Sequence, residues 1–375
     1  MNPHNIYVVQ LLIVGLGILA LVWRLNFVYR LQVLGWVLLN FVILLRYGQS
    51  GQLEFYSNDQ RIFVAVTDAL ASGMVVHEPL SWWISSARIP FTLPAVLLAS
   101  AGLDTALALK TTSLLFILGL TQLVLQHARI RSLTGFATLV FMTGIAFSGT
   151  FFSSLAQRET SMMFFTFLVF VGKSPALRGT SLLMLVLLRP HLAVAIGLGW
   201  LCTVLVQQSS RRRNWSPGRA ATAIASGSVV GYLLFAMGFQ FQTGISGVFG
   251  HQFGLRPVLR IASNYVGLQF LTAYETTIEF TLVQLLLGRL LFSETILIPL
   301  AFTLLVLTSR DASPVMRWTM WSFAIYVGLV TNTDFNSFRQ NVPLMPVMGF
   351  CVVNALQRWR ALRVSDDKAK TLVET

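Results

Sequence analysis

Long apolar runs separated by short basic clusters make up nearly the whole chain. Ile6 to Trp23 carries no charge and is long enough to cross a hydrocarbon core as a helix. Leu31–Leu45 returns. Further spans are predicted at Thr111–Gln126, Leu133–Gly149, Ser161–Gly172, Gly179–Val206 (as a pair of arms), Ala220–Phe239, Phe292–Thr308, Val315–Thr331 and Val342–Leu356. Several fall short of the roughly twenty residues of a full crossing and need thin bilayer, flanking protein or a water-filled vestibule. On length criteria the total is about eleven spans. The predicted fold is therefore all-α: a polytopic integral membrane helix bundle with re-entrant or interfacial helices.

Composition agrees. Of 375 residues, 55% are hydrophobic and 11% charged, and the mean hydropathy is +0.70. A soluble domain carries about 25% charged residues, so the composition is that of a membrane protein. The net charge of +13 fits cytoplasmic stop-transfer residues, and no nucleic-acid partner is expected. Cys202 and Cys351 both lie in apolar runs, which points to neither a disulfide framework nor a metal site.

The basic clusters orient the spans. Arg24 and Arg30, His127 to Arg131, Lys173 and Arg178, Arg211 to Arg219, Arg310 and Arg317, and the tail from Arg358 to Lys370 all suit the cytoplasm. The first helix, with no basic segment before Ile6, is expected to be uncleaved with its N-terminus outside; the C-terminus is then inside. The loops alternate correctly if Ile89–Leu103, which opens Ile-Pro-Phe-Thr-Leu-Pro, does not cross completely. If it does cross, something between Arg61 and Gly73 must cross too. One polytopic domain is expected over 1–363, with a short cytoplasmic tail over 364–375 and no internal repeat.

Against that topology, Arg46, Arg61, Arg88, Arg158, Arg189, Arg256, Arg260 and Arg339 fall on the outer side or within the membrane. Arginine is normally retained inside, and within the bilayer it costs roughly 3 kcal/mol or more. Their number points to a cavity that grips a polyanion at the outer face.

Several segments could carry chemistry. The loop Arg46–Arg61 mixes glycines, aromatics, acids and arginines, which suits sugar and phosphate recognition or, more simply, an Arg–Asp ion pair. Glycosyl transfer to a hydroxyl calls for a carboxylate within reach, so Asp59, then Glu54, are the candidate bases. His77, Glu78, Trp82 and Trp83 follow on a segment suited to the outer interface. Phe151–Thr160 opens a helix, with Ser153 or Ser154 as its cap; Arg158 there opposes the macrodipole and needs either Glu159 or a bound phosphate. Arg189-Pro190-His191 joins two arms too short to cross, so this turn should lie below the outer surface, where unpaired backbone is tolerated only beside protein or water. Asn332–Asn341 leads into a proline-bearing last span with Arg339 at its start, where Asp334 could neutralise it. Gln240–Leu291 adds His251, Arg256, Arg260, Glu275 and Glu279 without metal-ligand spacing, and a metal-independent reaction with no cofactor is expected.

The order of features, Leu45-Arg46-Tyr47-Gly48, then Arg158 opening a helix, His191 after the next arm and Arg339 before the last span, resembles the EpsG-like and Wzy-like integral membrane polymerases of bacterial O-antigen and exopolysaccharide synthesis. That family pattern places an aspartate near Gln52; the acids here are Glu54 and Asp59. The resemblance implies a GT-C-like cavity at the outer face of the bacterial inner membrane. In it, undecaprenyl-diphosphate-linked oligosaccharide repeat units would be polymerised. It also implies Arg46, Arg158, Arg189 and Arg339 on diphosphate, His191 orienting the leaving oxygen or acceptor, and a chain-length regulator and a flippase as partners beside membrane lipid. Two alternatives stand: a glycosyltransferase using a polyprenyl-phosphate sugar, and a transporter or flippase of lipid-linked sugars.

Overall fold

The structure is a computed structural model. It describes residues 3–47, 58–73, 88–127, 148–209, 216–236, 313–330, 342–351 and 353–355, with a few isolated positions between 258 and 306. Among these residues every regular element is helical. In chain order they are α1 (Pro3–Val22), α2 (Phe27–Tyr47), α3 (Asn58–Ala71), α4 (Ile89–Ser100), α5 (Thr105–His127) and α6 (Ser148–Ser154), followed by α7 (Glu159–Val171), α8 (Pro175–Leu188), α9 (Pro190–Ser209), α10 (Pro217–Ala236) and α11 (Pro314–Val330). A last apolar helix, α12 (Val342–Ala355), opens with a 3-10 turn.

Local chemistry sets where these helices begin. Ser174, Ser216 and Ser313 each precede a proline, and their hydroxyls accept from the backbone N–H of Leu177 (3.1 Å), Arg219 (3.4 Å) and Met316 (3.2 Å). A serine N-cap satisfies one orphan donor, and proline at the first helical position supplies a fixed φ where no N–H is needed. Asp104 and Asn26 cap α5 and α2 in the same way, accepting from Leu107 (3.0 Å) and Val28 (3.2 Å).

Among the described residues four helices contain windows long and apolar enough to cross a membrane: Asn5–Val22, Phe27–Leu45, Thr105–His127 and Pro190–Gln207. The predicted spans at Leu133–Gly149 and Phe292–Thr308 lie almost wholly outside the described residues. Ile89–Leu103 becomes a helix of 12 residues, about 18 Å long and too short to cross alone. The paired arms over Gly179–Val206 are α8 and α9, separated only by Arg189. The second arm is longer than expected, at 20 residues, because Pro190 starts it at once and the basic cluster begins only at Arg211.

The chain forms two compact units, Met1–Val124 with Ile145–Pro190, and Leu125–Gly144 with His191–Thr375. In the first, α5 is the central helix, with 72% of its apolar window buried, whereas α1 and α2 bury 22% and 33% of theirs. Apolar burial between helices gains little in lipid, so polar bonds and close packing hold such a bundle. Gln32 Nε2 donates to Thr121 Oγ1 (2.9 Å) and Tyr29 donates to Gln122, tying α2 to α5. Trp36 Nε1 donates to Ser153 O (3.4 Å), tying α2 to α6.

In the second unit α10 and α11 cross through small residues. A Cβ on Gly231 would lie 2.0 Å from Ile325 O, and one on Gly328 would lie 2.2 Å from Ser228 O. Gly227-Ser228-Val229-Val230-Gly231 is a small-xxx-small seam, the pattern that lets membrane helices approach backbone to backbone. Trp318 Nε1 donates to Ile196 O (2.8 Å), joining α11 to α9.

Candidate functional site

In the first unit a cluster of arginines gathers where several short helices meet. α7 and α8 form a hairpin closed by Gly172–Ser174; a Cβ at Gly172 would lie 2.5 Å from Leu168 O. The two helices have 13 and 14 residues, so their open ends are level, and Arg158 and Arg189 both stand at that end. α3 reaches it too. Gln60 Nε2 donates to Leu155 O, and the Arg158 guanidinium lies 5.9 Å from the centre of the Phe63 ring. Phe63 meets Phe91 of α4 edge to face at 5.3 Å, and Arg88, just before α4, donates to Leu187 O at 3.4 Å. That last bond places a cation on an orphan carbonyl at the C-terminus of α8, where it is favoured.

The N-termini of α3, α4 and α7 thus converge on one place together with Arg88, Arg158 and Arg189. Each helix N-terminus carries partial positive charge, so the dipoles add to the guanidinium groups in favouring an anion. The depth of this place follows from α5. Ser113 Oγ donates to Gln157 O at 3.3 Å, and Ser113 lies about 12 Å into that membrane-length helix. At the opposite end of α3, Asp68 accepts from Thr105 at the start of α5. Short helices therefore run from the site towards the start of α5, while the α7–α8 hairpin departs on the other side.

Two further observations mark the spot. Arg88 (φ 51°) and Ala156 (φ 52°) are the two non-glycine residues with left-handed backbone among the described residues, a conformation costing each roughly 1–2 kcal/mol. Such strain persists where the surroundings over-determine it, often beside a ligand. The hydroxyls of Thr112 and Thr160 are buried and make no hydrogen bond among the described residues. Buried polar atoms are normally satisfied.

Of the sequence-predicted residues, Arg158 is half-buried and Arg189 is 7% exposed in an extended backbone between α8 and α9. Asp59 stands in the first turn of α3, one residue before Gln60, and Arg46 in the last turn of α2. His191 opens α9 in the second unit, stacked on buried Tyr326 with ring centres 6.1 Å apart. Glu54 and Arg339 lie outside the described residues, as do His77, Glu78, Trp82, Trp83, His251, Arg256, Arg260, Glu275, Glu279 and Asp334.

A further expectation is corrected beside the length of α9. Ser153 and Ser154 do not cap the helix that follows. They belong to α6, and their hydroxyls donate back to Thr150 O at 2.7 and 2.9 Å. Arg158 itself holds the N-cap position of α7, with no side-chain cap.

Sequence reasoning also missed Lys110. It is 1% exposed inside α5, where its Nζ donates to Tyr7 Oη (3.0 Å) and lies 5.5 Å from the centre of that ring. Three residues before Ser113, it shares that side of the helix. A lysine inside a membrane-length apolar stretch was the available signal. Among the described residues no three His, Cys, Asp or Glu side chains are placed to hold a metal ion. Comparison with protein-family models, curated proteins and solved structures gives no match.

Proposed function

We propose that this chain is an integral membrane glycosyltransferase that polymerises undecaprenyl-diphosphate-linked oligosaccharide repeat units at the outer face of the bacterial inner membrane. The observation that carries the reading is the convergence of Arg88, Arg158 and Arg189 with three helix N-termini, level with the interior of α5. Fixed positive charge at membrane depth suits a lipid-linked diphosphate, whose anionic head must lie near its prenyl tail. About eleven spans, an outer N-terminus, an inner C-terminus and a GT-C-like outer cavity complete the proposal.

In the reaction, the hydroxyl of one lipid-linked unit attacks the anomeric carbon of another. The anomeric carbon–oxygen bond to diphosphate breaks, and the acceptor proton passes to a carboxylate, Asp59 or Glu54. Arginines stabilise the charge that grows on the departing diphosphate, the kind of preorganised electrostatics that usually contributes most to catalysis. No metal is required for that role.

Half-length helices meeting at depth also occur in transporters, so a flippase of lipid-linked sugars is the second reading. Deleting the gene and restoring either wild type or Arg189→Ala separates the two. Loss of long polymer with complete single repeat units remaining, rescued by wild type only, supports the polymerase. Polymer of normal length removes it and brings the transporter forward.

A further inference from the structure

The turn between α1 and α2 carries a second cationic feature, remote from the one above. The Arg30 guanidinium lies 5.4 Å from the centre of the Trp23 ring and 5.9 Å from that of Phe27. Its Nε is covered and makes no hydrogen bond among the described residues. Arg24 is exposed beside it. Neither α1, α2 nor the turn between them carries an acidic residue, the first of the chain being Glu54.

The direction in which this group faces is fixed by packing. Tyr29 and Gln32 bind Gln122 and Thr121 of α5, which sets the inward face of α2. At 100° per residue, Arg30 then stands well off that face. The flanking rings are open: Trp23 is 59% and Phe27 60% exposed. Exposed aromatics beside a cation, at the end of two membrane-length helices, match the level of lipid headgroups rather than of water. Two rings hold the guanidinium by cation–π attraction and leave its planar donors to meet a phosphate.

We infer that the α1–α2 turn is a binding site for an anionic phospholipid headgroup, with Arg30 as its phosphate ligand, Arg24 adding charge, and Trp23 and Phe27 lying against the acyl–glycerol region. Basic pockets at the ends of membrane helices bind anionic headgroups by this chemistry.

The test is native mass spectrometry of the full chain in detergent, given phosphatidylglycerol or phosphatidylcholine. Wild type should retain phosphatidylglycerol in preference. Arg30→Gln should lower that occupancy roughly tenfold, the loss of a charge-assisted bond, and Phe27→Leu should lower it severalfold. Equal retention of the two lipids by wild type, or unchanged retention in Arg30→Gln, would overturn the proposal. Displacement of the lipid by inorganic phosphate would also overturn it, identifying a free-anion site instead. If Arg30→Gln does not accumulate, Phe27→Leu decides: unchanged occupancy there rejects the site.

Discussion

Ser113 and Gln157 are joined by a single bond, from the serine hydroxyl to the glutamine backbone carbonyl at 3.3 Å. It pins the strained segment before Arg158 to the interior of the central helix α5. Replacing Ser113 by valine removes the donor and costs about 1 kcal/mol of stability. Polymer formation should fall more than that stability change implies, because the arginine loses its register. Melting of the purified protein set against polymer length in cells measures both. Equal and small effects would mean that the bond does not position the site.

Arg158 is expected to matter through where its charge sits. Arg158→Ala should reduce polymer formation by roughly 10²–10³, the cost of losing one preorganised donor to developing charge. Arg158→Lys should recover only part of it, since an ammonium lacks the planar fork. Protein in the membrane should stay constant, checked by immunoblot beside the polysaccharide profile.

Lys110 and Tyr7 should behave asymmetrically. Tyr7→Phe leaves a buried ammonium short of a partner and should destabilise the protein by about 1–3 kcal/mol. Lys110→Met leaves the buried Tyr7 hydroxyl without this donor but also removes a buried charge, and should cost the fold less than Tyr7→Phe. Thermal unfolding in detergent distinguishes the two. A larger loss from Lys110→Met would show that the ammonium holds the bundle together.

Glycines offer a contrast within one helix. Gly231→Ala puts a methyl 2.0 Å from a backbone oxygen of α11 and should cost about 1–3 kcal/mol or more, since backbone cannot yield cheaply. Gly218, at the start of the same helix α10, has nothing within 4 Å of an added Cβ. Gly218→Ala should gain up to about 1 kcal/mol through helix propensity. The same melting experiment reads both signs.

Much of the helical layout was legible because its signals are local. Apolar length placed α1, α2 and α5 nearly where they lie, and the proline in Arg189-Pro190-His191 marked the break between α8 and α9. The two prolines opening Ile89–Leu103 marked the start of the short helix α4. Other features depend on partners far along the chain. Lys110 read as the edge of a span, because Tyr7, which hosts its ammonium, is 103 residues away in sequence. Ser153 and Ser154 read as caps because a short helix before them, closed by their own bonds to Thr150 O, has no strong pattern of its own. The gathering of Arg88, Arg158 and Arg189 is likewise tertiary: residue type and topology flagged each one, but neither showed that they share an end. The glycine seam of α10 was there to be read, yet its partner on α11 lies about a hundred residues on.

The three serine–proline helix starts bear on how such a chain is made. Ser174-Pro175, Ser216-Pro217 and Ser313-Pro314 each fix the first turn of a helix with residues that leave the ribosome within moments of one another, and each has arginine close by. A helix start set locally needs no distant contact before it can form. Each of these three helices can therefore begin as soon as its own residues emerge, while the polar contacts of the interior wait until later helices arrive.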